Sequence, residues 1–178
     1  METIDELDYT PEVIIEASLS NLKNNVNREF GRDRESRSNR IKVVNYEAIP
    51  SVSSKELLLK ARIVGEEGNY QVSVRFINIG FANALSPGYT EIKGLDGNTY
   101  FVRQVTLAQT TAKVKCSCLD FYWRFATWNH GKKALEGDPP PPYVKLTDRP
   151  PVNPNKVSGA CKHIMKFMTF IKGEGIAR

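Results

Sequence analysis

The sequence predicts an α+β fold, from three observations. An apolar stripe at helical spacing lies near the N-terminus, strand-like alternation fills the middle, and a second helical stripe closes the chain. In the first stripe Val13, Ile14, Ala17, Leu19, Leu22 and Val26 recur at roughly one helix face, and Pro11 suits a first helical turn, where its missing N–H costs nothing. The predicted helix runs from Pro11 to Phe30 and ends near Gly31.

The strand patterns begin at Ile41, Val43 and Val44. Leu57, Leu59, Ala61 and Ile63 alternate with Lys60, Arg62 and Val64, and after a turn at Glu66–Asn69 the residues Val72, Val74 and Phe76 alternate with Ser73, Arg75 and Ile77. Period-two alternation on either side of a glycine turn is a hairpin signature. Pro87-Gly88 marks another turn. Tyr89–Lys93 and Thr99–Leu107 flank Leu95-Asp96-Gly97-Asn98, whose Asp-Gly supplies the positive φ that tight hairpins require. A last strand is expected over Ala112–Cys118, giving one antiparallel sheet of five or six strands. In the second helical stripe Ile164, Phe167, Met168 and Ile171 fall at i, i+3, i+4 and i+7, and Gly173 and Gly175 end it.

Three segments follow from these patterns: an N-terminal helix and charged arm over 1–40, an antiparallel sheet over 41–110, and a C-terminal lobe over 111–178 that holds a long insert at 119–160. The chain has 178 residues, 40% of them hydrophobic, which suits one globular unit with an extension. Residues 1–10 are acidic and expected to be loosely held. The mixed-charge stretch Arg28–Arg40 reads as a solvated linker, or else as an arm that orders on a protein or nucleic-acid partner through groups such as Arg34 and Arg37.

The net charge of +5 is mildly basic, so phosphate binding is allowed but not compelled. No apolar run approaches the ~20 residues that cross a bilayer, and the acidic opening residues do not resemble a signal peptide. A reducing cytoplasm is the compartment this predicts. There the odd count of three cysteines argues against a disulfide framework and for metal. No phosphate loop, dinucleotide fingerprint or H-E-x-x-H is present, and only two histidines are available for acid–base chemistry. A non-enzymatic protein is therefore expected.

Cys116 and Cys118 are two apart, so on a strand both thiols face one side. Cys161 and His163 are also two apart, at the entry of the predicted helix and just after Gly159, which lends the backbone freedom. Together they offer a Cys₃His donor set suited to one tetrahedral zinc ion per chain. Four protein ligands leave no place for an activated water, so the site reads as structural. Lys115, Lys162 and the helix start are expected to offset the excess thiolate charge. Other readings stand beside this one. The first cysteine pair can be plain core, Cys161 and His163 can form a nucleophile–base pair, and His130 can take the place of His163.

The pattern Cys116-Ser117-Cys118 and Cys161-Lys162-His163, with a strand before it and a helix after it, resembles the SWIM-type zinc finger, C-x-C then C-x-H. The insert of 42 residues between the pairs is long for that family and must carry its own structure. Phe121, Tyr122, Trp123, Phe125 and Trp128 open the insert. They are expected to cap the metal pair and pack on the sheet; base stacking beside Arg124, Lys132 and Lys133, or a protein interface, are the alternatives. Pro139–Pro142 and Arg149-Pro150-Pro151-Val152-Asn153-Pro154 read as extended polyproline segments. These features, with Gly159-Ala160-Cys161-Lys162-His163-Ile164, make Val114–Lys166 similar to proteins of large tailed bacteriophages. That resemblance implies a virion component, tail, baseplate or neck rather than capsid shell, assembled in the host cytoplasm beside other virion proteins in a homo- or hetero-oligomer. The SWIM resemblance implies a nucleic-acid-binding module instead. A regulator that binds one soluble protein is a third reading.

Overall fold

Ser18 decides where the first helix starts. The computed structural model describes residues 17–142 and 144–178. In it Ser18 is extended (φ −90°, ψ 160°) and its Oγ accepts the Asn21 N–H at 3.2 Å, which makes it the N-cap of α1 (Leu19–Phe30). Ala17 is held outside the helix because its carbonyl accepts the Ala112 N–H at 2.9 Å. Helix α1 therefore starts later than Pro11. The stretch Pro11–Glu16 of the expected helix lies outside the described residues. Gly31, at φ 75°, ends the helix where the sequence placed its end. Leu19, Leu22 and Val26 are fully buried, as the stripe requires.

The segment Arg28–Arg40 is not a linker. It completes α1 and then forms α2 (Asp33–Ser38), which packs against the C-terminal helix. Its charges find partners in neighbouring elements: Lys23 of α1 pairs with Glu35, Arg34 pairs with Asp120, and Asp33 and Glu35 sit in the first turn, where the helix dipole favours acids. Ser38 is buried and donates its hydroxyl to the Glu35 carbonyl at 2.6 Å. A run poor in apolar residues can still dock when its ions find partners and its one aromatic ring, Phe30, packs on the core.

Among the described residues seven strands form two antiparallel sheets, not one. The larger holds β1 (Lys42–Ser51), β2 (Glu56–Gly65), β3 (Gly68–Phe76) and β7 (Ala112–Cys116), in the order β1-β2-β3-β7. The smaller holds β4 (Phe81–Ala82), β5 (Tyr89–Lys93) and β6 (Thr99–Arg103), in the order β4-β6-β5. Alternation predicts which face of a strand is buried, but not which strands share a sheet. The β2–β3 hairpin turns at Gly65 and Gly68, and the β5–β6 hairpin at Gly97, φ 82°. Leu57, Leu59, Ala61, Ile63, Val72, Val74 and Phe76 point into the core, and α5 (Lys162–Gly173) covers that inner face with Ile164, Phe167, Met168 and Ile171. The architecture is α+β: an N-terminal helix, antiparallel sheets and a C-terminal helix beside a Cys/His cluster.

The insert begins with an unpredicted helical segment. Leu119–Phe121 forms α3, Tyr122–Ala126 a π-helical turn, and Thr127–Gly131 helix α4. Aromatic residues lose side-chain freedom in helices, so the run carried little helical signal of its own. The chain then pairs with β7, Val114 donating to the Ala134 carbonyl at 2.8 Å, and continues irregularly through 137–142 and 144–160. Among the described residues no helix is long and apolar enough to cross a membrane.

Candidate metal centre

Cys116 is the last residue of β7 and lies opposite Val72. The strand stops there, two residues before the predicted end. Cys118 is instead the N-cap of α3, still extended (φ −76°, ψ 149°), and its Sγ accepts the Phe121 N–H at 3.3 Å. Ser117 keeps the alternation intact. Its N–H donates to the Gln71 carbonyl and its Oγ accepts the Gln71 N–H, both at 2.9 Å. Both thiols therefore reach the inner face, although only one lies on a strand.

Cys161 (φ −76°, ψ 169°) precedes α5, and His163 sits in its first turn. The approach to them is fixed by side chains that the sequence did not single out. Asn129, fully buried on α4, donates Nδ2 to the Gly159 carbonyl at 3.0 Å and accepts the Gly159 N–H on Oδ1 at 2.8 Å. Asn25 of α1 reaches the Ser158 carbonyl at 3.1 Å. Asn153 accepts the Val157 N–H at 3.1 Å and donates to the Val157 and Arg124 carbonyls, each at 2.8 Å. Gly159 is required by space rather than by backbone freedom: a Cβ there would lie 2.5 Å from Val26 Cγ2 and 2.7 Å from Phe125 Cε1. Asn129 follows the aromatic run and Asn153 lies among prolines, and in both places only the tertiary partners mark them.

These supports bring all four predicted donors together. The sulfurs of Cys116, Cys118 and Cys161 and a ring nitrogen of His163 lie within 4.8 Å of one another, and all four residues are buried. His163 Nδ1 is 3.7 Å from the Cys116 sulfur and 3.9 Å from the Cys161 sulfur. Ligand edges of a tetrahedron built on Zn–S of ~2.3 Å and Zn–N of ~2.0–2.1 Å are about 3.6–3.8 Å long, so the spacing suits a metal ion of that kind. The imidazole is 1% exposed and stacks on Tyr70 of β3, with centroids 4.1 Å apart. Its Nε2 is buried without a hydrogen-bond partner among the described residues, and Gly65 leaves room beside it. The ring is therefore oriented by packing, with Nδ1 turned towards the sulfurs.

Electrostatics point the same way. Burial, reinforced by its thiol neighbours, pushes Cys161 well above its ordinary value. Hydrogen bonds from Cys116 and Cys161 hold Cys118 far below its own, and the bond to Cys118 pushes Cys116 up. The cluster unaided favours a single thiolate, because more would repel at short range in a dry site. A divalent cation removes that conflict. The expected lysine compensation is not built as predicted. Lys115 lies on the opposite face of β7, and Lys162 reaches towards Glu67 at 3.8 Å.

All three cysteines are free thiols. His130 is exposed at the end of α4 and takes no part in the cluster. Cys161 and His163 do not stand alone as a dyad, since Cys116 approaches the same ring nitrogen. The aromatic run divides: Phe121 and Phe125 are buried, whereas Tyr122 and Trp123 are 38% and 44% exposed.

Comparison with family models, curated proteins and solved structures found no match to this chain.

Proposed function

We propose that Cys116, Cys118, Cys161 and His163 bind one structural zinc ion, and that this centre fixes the insert as an assembly element of a larger particle. The convergence of four buried donors from two ends of a 42-residue insert carries the reading. Three thiols and an imidazole are a ligand set that zinc favours, and four protein ligands leave no coordination position for substrate or water. The role is thus non-enzymatic: binding joins the end of β7, the start of α3 and the start of α5.

What the anchored insert presents outward supports the assembly role. Leu119 follows the second ligand and is 73% exposed, and Tyr122 and Trp123 stand three and four residues on. Spacing of that kind puts them on one side of the helical segment. Phe121 and Phe125 tie its other side to the core. Exposed aromatic and leucine side chains on a rigid support are typical interface anchors. The phage resemblance of Val114–Lys166 supports a tailed-phage virion as that particle, with tail, baseplate or neck as the position and other virion proteins as the neighbours.

Two measurements test the reading. Metal analysis of the purified protein should give about one zinc per chain, and Cys118→Ser should lose it and expose the insert to protease before the sheet. Full zinc content in that variant, with unchanged cleavage, would refute the centre. Mass spectrometry of purified particles should find the chain in fixed stoichiometry with structural proteins, and its absence there would refute the virion role.

A further inference from the structure

The structure assigns a second interaction surface to the outer face of the larger sheet, where we infer that Lys60, Arg62, Lys113 and Lys115 bind the phosphate backbone of a nucleic acid without reading its sequence. This surface is separate from the metal centre, because Cys116 and Lys115 are neighbours on β7 and face opposite sides.

Charge is strongly segregated in this chain. Residues 1–16 hold six acidic side chains and no basic one, which leaves 14 of the chain's 20 acidic residues against all 25 basic ones in 17–178. That part of the chain is thus +11, well beyond the +5 of the whole. The sheet gathers part of the excess. Lys60 of β2 lies opposite Ser73 of β3, and Ser73 opposite Lys115 of β7. Arg62 lies opposite Gln71, and Lys113 opposite Arg75. Strand geometry sets the cations about 6.7 Å apart along a strand and about 9.6 Å apart across two strand spacings.

None of these four makes an ion pair within the described residues. The acids nearest them are largely spent: Glu136 and Glu56 both hold Arg75, Glu136 through two bonds of 2.7 and 2.8 Å. Glu47 lies opposite Lys60 on β1 and makes no ion pair among the described residues. Ser73, Gln71 and Ser117 supply neutral polar groups between the cations. Side chains at these outward positions include no aromatic ring; Tyr46 and Tyr70 turn inward, to Phe170 and His163. A flat cationic face without stacking groups grips phosphates and ignores bases.

The test is anisotropy of a labelled 30-base-pair duplex of mixed sequence, titrated with the full-length zinc-loaded protein at 50 and 200 mM salt. Four phosphate contacts give a slope near −3.6 in log K against log salt, so affinity should fall by about 150-fold over that range. Joint replacement Lys60→Gln, Arg62→Gln, Lys113→Gln and Lys115→Gln should abolish binding while leaving zinc content and circular dichroism unchanged. The same charge loss placed elsewhere, Lys93→Gln, Lys145→Gln, Arg149→Gln and Lys172→Gln, should leave most of the affinity. No binding at 50 mM salt overturns the proposal, as does equal loss in both variants. Displacement by poly-glutamate as readily as by unlabelled duplex would transfer the surface to an acidic protein. Binding that survives the sheet variant but vanishes on zinc chelation would move it to the finger.

Discussion

Replacing Asn129 by alanine tests how the second ligand pair is held. The side chain makes two buried hydrogen bonds to one residue, Gly159, at 3.0 and 2.8 Å, two positions before Cys161. Alanine removes both partners at once and strands the Gly159 N–H and carbonyl in a buried position. Each stranded group costs about 1–3 kcal/mol, so the variant should lose roughly 2–6 kcal/mol. For a chain of this size about 3 kcal/mol lowers Tm by roughly 6–12 °C. On the proposed zinc reading, metal affinity should fall too, because binding a metal and ordering its ligands are one equilibrium. If half of a 3 kcal/mol loss is felt at the centre, zinc binds about tenfold more weakly. Differential scanning calorimetry of the zinc-loaded protein and chelator competition measure the two effects. A large fall in Tm with unchanged zinc affinity would show that the clamp secures α4 and not the metal pair. No change in either would refute the reasoning.

Three further outcomes are expected. Gly159→Ala forces a methyl to within 2.5 Å of Val26 and 2.7 Å of Phe125; overpacking of that order costs about 1–3 kcal/mol, and thermal melts together with zinc affinity should both report it. Arg34→Ala should destabilise the fold by about 1–3 kcal/mol, because the guanidinium pairs with Asp120 and lies over Phe30 at 5.6 Å, whereas Arg37→Ala, with no partner among the described residues, should leave urea midpoints unchanged. Glu35 is held below its ordinary 4.5, first by the hydrogen bond from Lys23. A depressed carboxylate contributes stability above its unfolded value, and that contribution disappears as pH falls through the folded one. Glu35→Gln should therefore flatten the loss of stability below pH 4.5, and a pH–stability profile with an unchanged acid limb would refute the pairing.

The correct and incorrect expectations divide along a physical line. Buried faces of β2 and β3 were legible because strand side chains alternate whatever the neighbouring strand is. The α5 stripe was legible for the equivalent helical reason. The division into two sheets was not, since the register between β3 and β7 joins residues some forty positions apart. The docking of Arg28–Arg40 was not legible, because composition shows charge but not pairing. Within the described part of the 11–30 expectation, Ala17 and Ser18 lie outside the helix because Ala17 meets Ala112, a contact across the fold.

The centre shows the same split at the scale of single atoms. Residue type and spacing chose all four donors, because C-x-C and C-x-H restrict which side chains can face one point. Tertiary structure alone decided that Nδ1 of His163 faces the sulfurs, that Tyr70 stacks on the ring, and that Asn129, Asn153 and Gly159 aim the second pair. The reason is range. Donor chemistry and alternation are properties of residues a few positions apart, whereas the supports are contacts between segments distant along the chain, which exist only once the core has packed.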